Sequence, residues 1–199
     1  MDAFKQTIVT YNQRSRDLAE HFFTIRSKEE YIVKAFSYIV KDNVSVVECG
    51  CGAGKDAMSI IKYTKNYLGI DISKRMISLA RKNCDGVKFE VGNFLNYKYP
   101  RNIDIIFAFA SLLHSSKVKV AKFFKKIHHV LNTGGVVCLT LKYGNYHSEL
   151  KKDKFGSRLF YFYTPDDIKL CAGIGYESVY EDSSMTGDTK WFVIILKKI

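Results

Sequence analysis

The sequence predicts a three-layer α/β domain wound on both faces of a mostly parallel sheet. Three observations predict it. Strand-like apolar runs alternate with helix-like amphipathic stretches along most of the chain, as in a doubly wound fold. Residues 44–49 carry Val44, Val46 and Val47 with no charge before Glu48, which suits a strand buried on both faces. Gly50, Gly52 and Gly54 follow at alternate positions, and residues 55–61 can then run as a helix. Strand, glycine turn and helix bring backbone close to a ligand and aim helix N–H groups at it.

Composition narrows the class. At 199 residues, 47% hydrophobic and 14% aromatic, the chain can bury a core and is too apolar for disorder. Residues 1–199 are therefore expected to form one domain. No apolar run reaches the ~18 residues of a membrane span. The amino-terminal stretch mixes charges and lacks a signal-peptide block. Five cysteines show no zinc-like spacing, so no metal site and a reducing, cytoplasmic setting are expected. The net charge of +11 is compatible with nucleic acid, but the 31 basic residues are scattered rather than gathered in one block. A small-molecule acceptor is the favoured partner, with a monomer or homodimer as the assembly.

Taken in order, residues 1–40 hold two helical patterns that either cover one edge of the sheet or, in the first of them, form a lid over a ligand with Tyr11 nearest the site. The first carries Tyr11, Leu18, Ala19, Phe22 and Phe23; the second spans residues 27–40, with Ser27 and Glu30 spaced as a capping box. The glycine stretch lacks a glycine at position 55 for the dinucleotide fingerprint, and lacks Gly-Lys-Ser/Thr for a phosphate loop. What remains, Glu48-Cys49-Gly50-Cys51-Gly52-Ala53-Gly54, resembles the first motif of the class I S-adenosylmethionine-dependent methyltransferases, in particular the small type 11 kind.

Further stations carry the same resemblance. Residues 66–73 punctuate a short strand ending at Asp71, whose carboxylate can accept from both hydroxyls of a ribose. Gly69-Ile70-Asp71-Ile72-Ser73, with Met76 and Ala80-Arg81 beyond, is similar to the family's second motif. Val87, Phe89 and Val91 alternate into a third strand before Asn93-Phe94. The family usually has Asp where Asn93 stands; the Asn amide oxygen can still accept from an adenine amino group. The resemblance thus assigns cofactor contacts to Glu48, Gly50, Cys51, Gly52, Gly54, Asp71, Ile72, Met76, Asn93 and Phe94.

A buried-strand run over residues 103–109 ends in small residues, Ala110 and Ser111, that let backbone approach the same ligand. His114 follows at once, at the carboxyl end where ligands lie in such sheets. It is the candidate catalytic base, since histidine titrates near neutrality. A helix is expected over residues 119–131, stopped at Asn132-Thr133-Gly134-Gly135, then a fifth strand over residues 136–141. Residues 143–164 break regularity and read as a substrate-facing insert rich in tyrosine, lysine and arginine. Thr164-Pro165 opens a helix, and residues 176–181 and 191–196 close the chain as strands.

The resemblance implies a Rossmann-like sheet of seven strands with one antiparallel strand, and S-adenosylmethionine as cofactor with S-adenosylhomocysteine as product. The expected activity is methyl transfer to an O, N or other nucleophile of a small anionic or aromatic acceptor. Tyr11, Arg158, Tyr161 and Tyr163 are the candidate acceptor residues, Arg158 because its fork can grip a carboxylate or phosphate. An RNA methyltransferase, a nicotinamide oxidoreductase and a non-catalytic S-adenosylmethionine-binding subunit are the alternatives.

Overall fold

The computed structural model describes residues 2–25 and 27–199. Three helices lead the chain: α1 (Ala3–Gln13), α2 (Ser15–Thr24) and α3 (Glu29–Phe36). The first helical pattern is thus broken in two at Arg14. The second is shorter than its spacing suggests. Ser27 accepts from the Glu29 N–H at 3.1 Å, one residue short of the Glu30 that a capping box requires.

The sheet then builds in sequence: β1 (Val46–Cys49), β2 (Tyr67–Asp71), β3 (Phe89–Val91), β4 (Ile103–Phe109) and β5 (Leu131–Lys142), later joined by β8 (Tyr176–Thr186) and β9 (Thr189–Lys198). Between them lie α4 (Ala57–Ile60), α5 (Lys74–Asn83), α6 (Lys117–His128), a hairpin of β6 (His147–Asp153) and β7 (Gly156–Phe162), and α7 (Pro165–Ala172). The sheet order is β3-β2-β1-β4-β5-β9-β8. The first five strands are mutually parallel, and β9 runs antiparallel to both β5 and β8. The expected seven-stranded, mostly parallel sheet with one antiparallel strand is therefore present.

Its two faces bury separate apolar layers, because neighbouring residues of a strand point to opposite sides. Val47, Ile106, Leu139 and Ile194 pack with Phe123, Phe124 and Ile127 of α6 and Ile168 of α7. Val46, Ile105, Phe107, Val136 and Ile195 pack with Ile32 and Ala35 of α3 and Ile77 and Ala80 of α5. Strands covered on both sides explain why β4 is apolar at every position but Asp104 and why each of its residues is buried.

Three local expectations change. Of residues 55–61 only α4 is helical, a single turn set between turns. The helix α6 stops at His128, and the Asn132–Gly135 signal lies inside β5, where pairing jumps from Ile103↔Leu131 to Ile105↔Val136. Gly134, at φ +78°, takes the left-handed turn of that irregularity. Residues 143–164 contain a regular antiparallel hairpin, β6 with β7, in register from His147↔Phe162 to Asp153↔Gly156. Thr164 does cap α7 in a full capping box with Asp167, with Pro165 at the first turn.

Candidate active site

The carboxyl ends of β1, β2, β4 and β5 open into a cavity of about 470 Å³, roofed by α1, α2 and β7. At its floor Gly50 has φ +79°, and a Cβ there would come within 2.4 Å of the Ser111 Cβ, so the loop after β1 and the end of β4 meet with no room for a side chain. Gly52 donates its N–H to Asp71 Oδ2 at 3.0 Å, while Ser73 N–H donates to Oδ1 at 2.8 Å. Both carboxylate oxygens are thereby aimed, and each keeps a lone pair for a further donor. Burial pushes the Asp71 carboxyl up to about 6, against the pull of those two N–H groups. Ser73 itself accepts from Met76 N–H at 3.2 Å, so the helix cap does not compete for Asp71.

Cys51, Gly52, Ile72, Met76, Asn93, Phe94 and Ala110 line the same wall. Asn93 turns its Oδ1 to the Leu95 N–H at 3.0 Å, which fixes the amide orientation. Ala110 sits at φ +48°, a conformation costly for a residue with a Cβ, and is held there by N–H bonds to Thr140 O at 3.1 Å and Thr140 Oγ1 at 3.0 Å.

At the far end, a 3-10 turn at Leu112–His114 presents His114. Its Nδ1 lies 2.5 Å from the Leu159 carbonyl oxygen, and its Nε2 lies 3.0 Å from the Tyr11 hydroxyl. A carbonyl only accepts, so Nδ1 carries the proton and Nε2 accepts from Tyr11. Burial, with Arg158 and Lys142 nearby, pushes His114 down to about 4. Burial pushes the Tyr11 hydroxyl up. Arg158 is 8% exposed, ion-paired to Asp153, and lies 5.3 Å from the Phe160 ring and 6.0 Å from that of Tyr11. Among the described residues, Arg158 Nε and Ser111 Oγ are buried polar atoms with no partner, and both residues line the cavity.

Known proteins resemble this chain in sequence and in fold. Residues 46–135 match the family model described as a methyltransferase domain. A solved S-adenosylmethionine-dependent methyltransferase from Methanosarcina mazei has the same fold, with a TM-score of 0.70 at 20% identity, covering 82% of this chain and 96% of that one. The chain thus carries a methyltransferase-domain match over residues 46–135 and shares its fold with that solved enzyme. It is 26% identical over 153 residues to a sterol 24-C-methyltransferase of Aspergillus fumigatus, covering 70% of this chain and 40% of the relative. It is 31% identical over 107 residues to phosphoethanolamine N-methyltransferase 3 of Arabidopsis thaliana, covering 51% of this chain and 21% of the relative. The chain spans less than half the length of these curated relatives.

Some site residues read from the sequence lie elsewhere in the structure. Glu48 is 2% exposed beneath the loop, outside the cavity lining, and accepts from the Tyr67 hydroxyl. Burial pushes it up to about 8, and it ties β1 to β2 rather than facing a ligand. Gly54 also lies outside the lining; a Cβ there would come within 3.3 Å of Ala80 Cα, so it serves the seating of α5. Tyr163 is fully buried, its hydroxyl donating to Ser115 O, and Tyr161 stacks on Tyr146 at 6.1 Å. Neither lines the cavity, because alternation along β7 sends Arg158 and Phe160 inward and Leu159, Tyr161 and the following Tyr163 the other way. Among the lining residues that sequence reasoning passed over are Lys142, Asp153, Phe155, Phe160 and Trp191. Of these five, Lys142 stands at the carboxyl end of a strand, a signal that could have found it.

Proposed function

We propose that residues 1–199 work as one unit that binds S-adenosylmethionine against the glycine loop and passes its methyl group to a small acceptor at the Tyr11–His114 end. The observation that carries this reading is the single cavity reaching from Gly52 and Asp71 to Tyr11, His114 and Arg158. The donor set fits the cofactor: an aimed acceptor-only carboxylate suits two ribose hydroxyls, Asn93 and the Phe94 N–H suit an adenine edge, and Ile72 and Met76 offer apolar faces. Bound there, the cofactor supplies a methyl group already activated on a sulfonium.

The protein's part is then alignment and proton handling. With a pKa lowered to about 4, His114 stays neutral at neutral pH, and its one ring lone pair is already taken by Tyr11. A nucleophile that sheds a proton would meet the Tyr11 oxygen first, Tyr11 passing its own proton to His114 Nε2. His114 serves in this reading as the end of a short relay rather than as a base in direct contact. The small acceptor is supported by the names of the relatives, which specify a sterol and phosphoethanolamine.

Calorimetry with S-adenosylmethionine, S-adenosylhomocysteine and NAD tests the cofactor, and a screen of metabolites and transfer RNA with labelled methyl donor tests the acceptor. Tighter binding of NAD sinks the reading. Saturable transfer RNA binding that survives moderate salt moves the acceptor to RNA, because non-specific phosphate contacts weaken steeply as salt rises.

A further inference from the structure

Lys142 ends β5 at the cavity wall and is only 8% exposed. Its Nζ lies over the Phe160 ring at 3.8 Å and 5.4 Å from the centre of the Phe162 ring. Among the described residues no carboxylate forms an ion pair with it. Glu149 and Asp153 act on it only at a distance, and Lys151 and Arg158 oppose them. Asp153 is in turn committed to Arg158.

This end of the cavity therefore holds three cations, Lys142, Lys151 and Arg158, against one carboxylate, Asp153, with His114 lining the same cavity. A buried ammonium resting on an aromatic face is short of acceptors, because a ring replaces only part of its lost hydration. The unpartnered Nε of Arg158 is short of one too. A buried ammonium without a carboxylate and an unpartnered guanidinium Nε, both lining one cavity, ask for the same thing: an oxyanion.

We propose that Lys142 and the Arg158 Nε form an anion subsite that holds a carboxylate or phosphate of the acceptor, whose apolar body lies against Phe155, Phe160 and Trp191. This deepens the reading above by naming the acceptor's chemical class, and it rests on that reading. Lys142 anchors the acceptor at a distance from the methyl group and takes no part in proton transfer. The methylated product keeps its anion, so the same subsite would hold product as well.

The test titrates phenyl phosphate, benzoate and neutral benzyl alcohol into the full chain, with S-adenosylhomocysteine titrated in parallel. At least one of the two anions should bind about tenfold or more tightly than the alcohol, as charge-assisted hydrogen bonds require, and the better one identifies phosphate or carboxylate. Lys142→Met should abolish that preference, Lys142→Arg should retain most of it, and neither should move the affinity for S-adenosylhomocysteine. The proposal is overturned if the alcohol binds as well as both anions, if no probe binds, or if Lys142→Met keeps the preference. The wild-type comparison needs no variant, so an unfolded Lys142→Met leaves the proposal open to refutation. Failure of S-adenosylhomocysteine to bind the wild-type protein would sink the methyl-transfer reading alone, leaving the anion preference to stand or fall on its own titration.

Discussion

Asp71 shows how one side chain can be made ready for a ligand by groups that are not the ligand. Two backbone N–H groups aim its oxygens, and burial holds its carboxyl near 6, above the ordinary 3.8. Ionised Asp71 is therefore under-solvated by the protein alone, and hydroxyl donors relieve it. Asp71→Ala should weaken S-adenosylhomocysteine binding by ~1.5–3 kcal/mol, the usual cost of losing hydrogen bonds to a charged group. Hydroxyls donate to the ionised form, so affinity in the wild type should level off above pH 6 and fall as pH drops below it. Calorimetry on either side of that pH reads both effects. A flat profile with unchanged affinity in Asp71→Ala would remove Asp71 from the binding wall.

At the scale of the element, β7 decides which side chains the acceptor end presents. Arg158 and Phe160 face the cavity, while Tyr161 turns to Tyr146. Phe160→Ala should raise the acceptor KM several-fold with cofactor affinity unchanged, whereas Tyr161→Ala should leave both within error. Equal effects on KM would mean the hairpin turns differently in solution. The same strand explains why the sequence was legible in one place and not in another. Glu48 to Gly54 and Gly69 to Ser73 carry local signals: a buried strand, residues forced to positive φ, an acid at a strand end. Most of that wall follows from them. In Leu159-Phe160-Tyr161-Phe162-Tyr163 every position is apolar or aromatic, so no alternation marks the inward face. Register came instead from pairing with β6 and docking on α1, which no single stretch encodes. Glu48 misled for a related reason: a motif tells that an acid stands under the loop, and only packing tells that Tyr67 has taken it.

For the molecule as a whole, buried titratable groups set opposite limits on stability with pH. His114 is pushed down to about 4 from its usual 6.5, so the folded state resists its protonation. Its contribution is present above 6.5 and is lost as pH falls through 4. Glu48 is pushed up to about 8 from 4.5, so its neutral form favours folding below 4.5 and that contribution is lost as pH rises through 8. Urea denaturation across pH should therefore show stability highest between these limits. His114→Gln should flatten the acid side and Glu48→Gln, which keeps an acceptor for Tyr67, the alkaline side. Unaltered slopes in both variants would show that other groups govern the profile.

The roof of the cavity is joined to its hairpin by unusually specific ties. Leu159 N–H donates to Thr7 Oγ1 at 2.9 Å, Thr10 Oγ1 donates to Ser157 O at 2.9 Å, and Leu159 O receives His114. In the hairpin register Leu159 stands opposite Leu150, yet its amide proton is spent on the helix and not on the neighbouring strand. Any movement that lifts α1 must free that proton, and movements that leave α1 seated need not. The exchange rate of a single backbone hydrogen with deuterium is thus a built-in clock for traffic through the site, readable without substrate, label or activity.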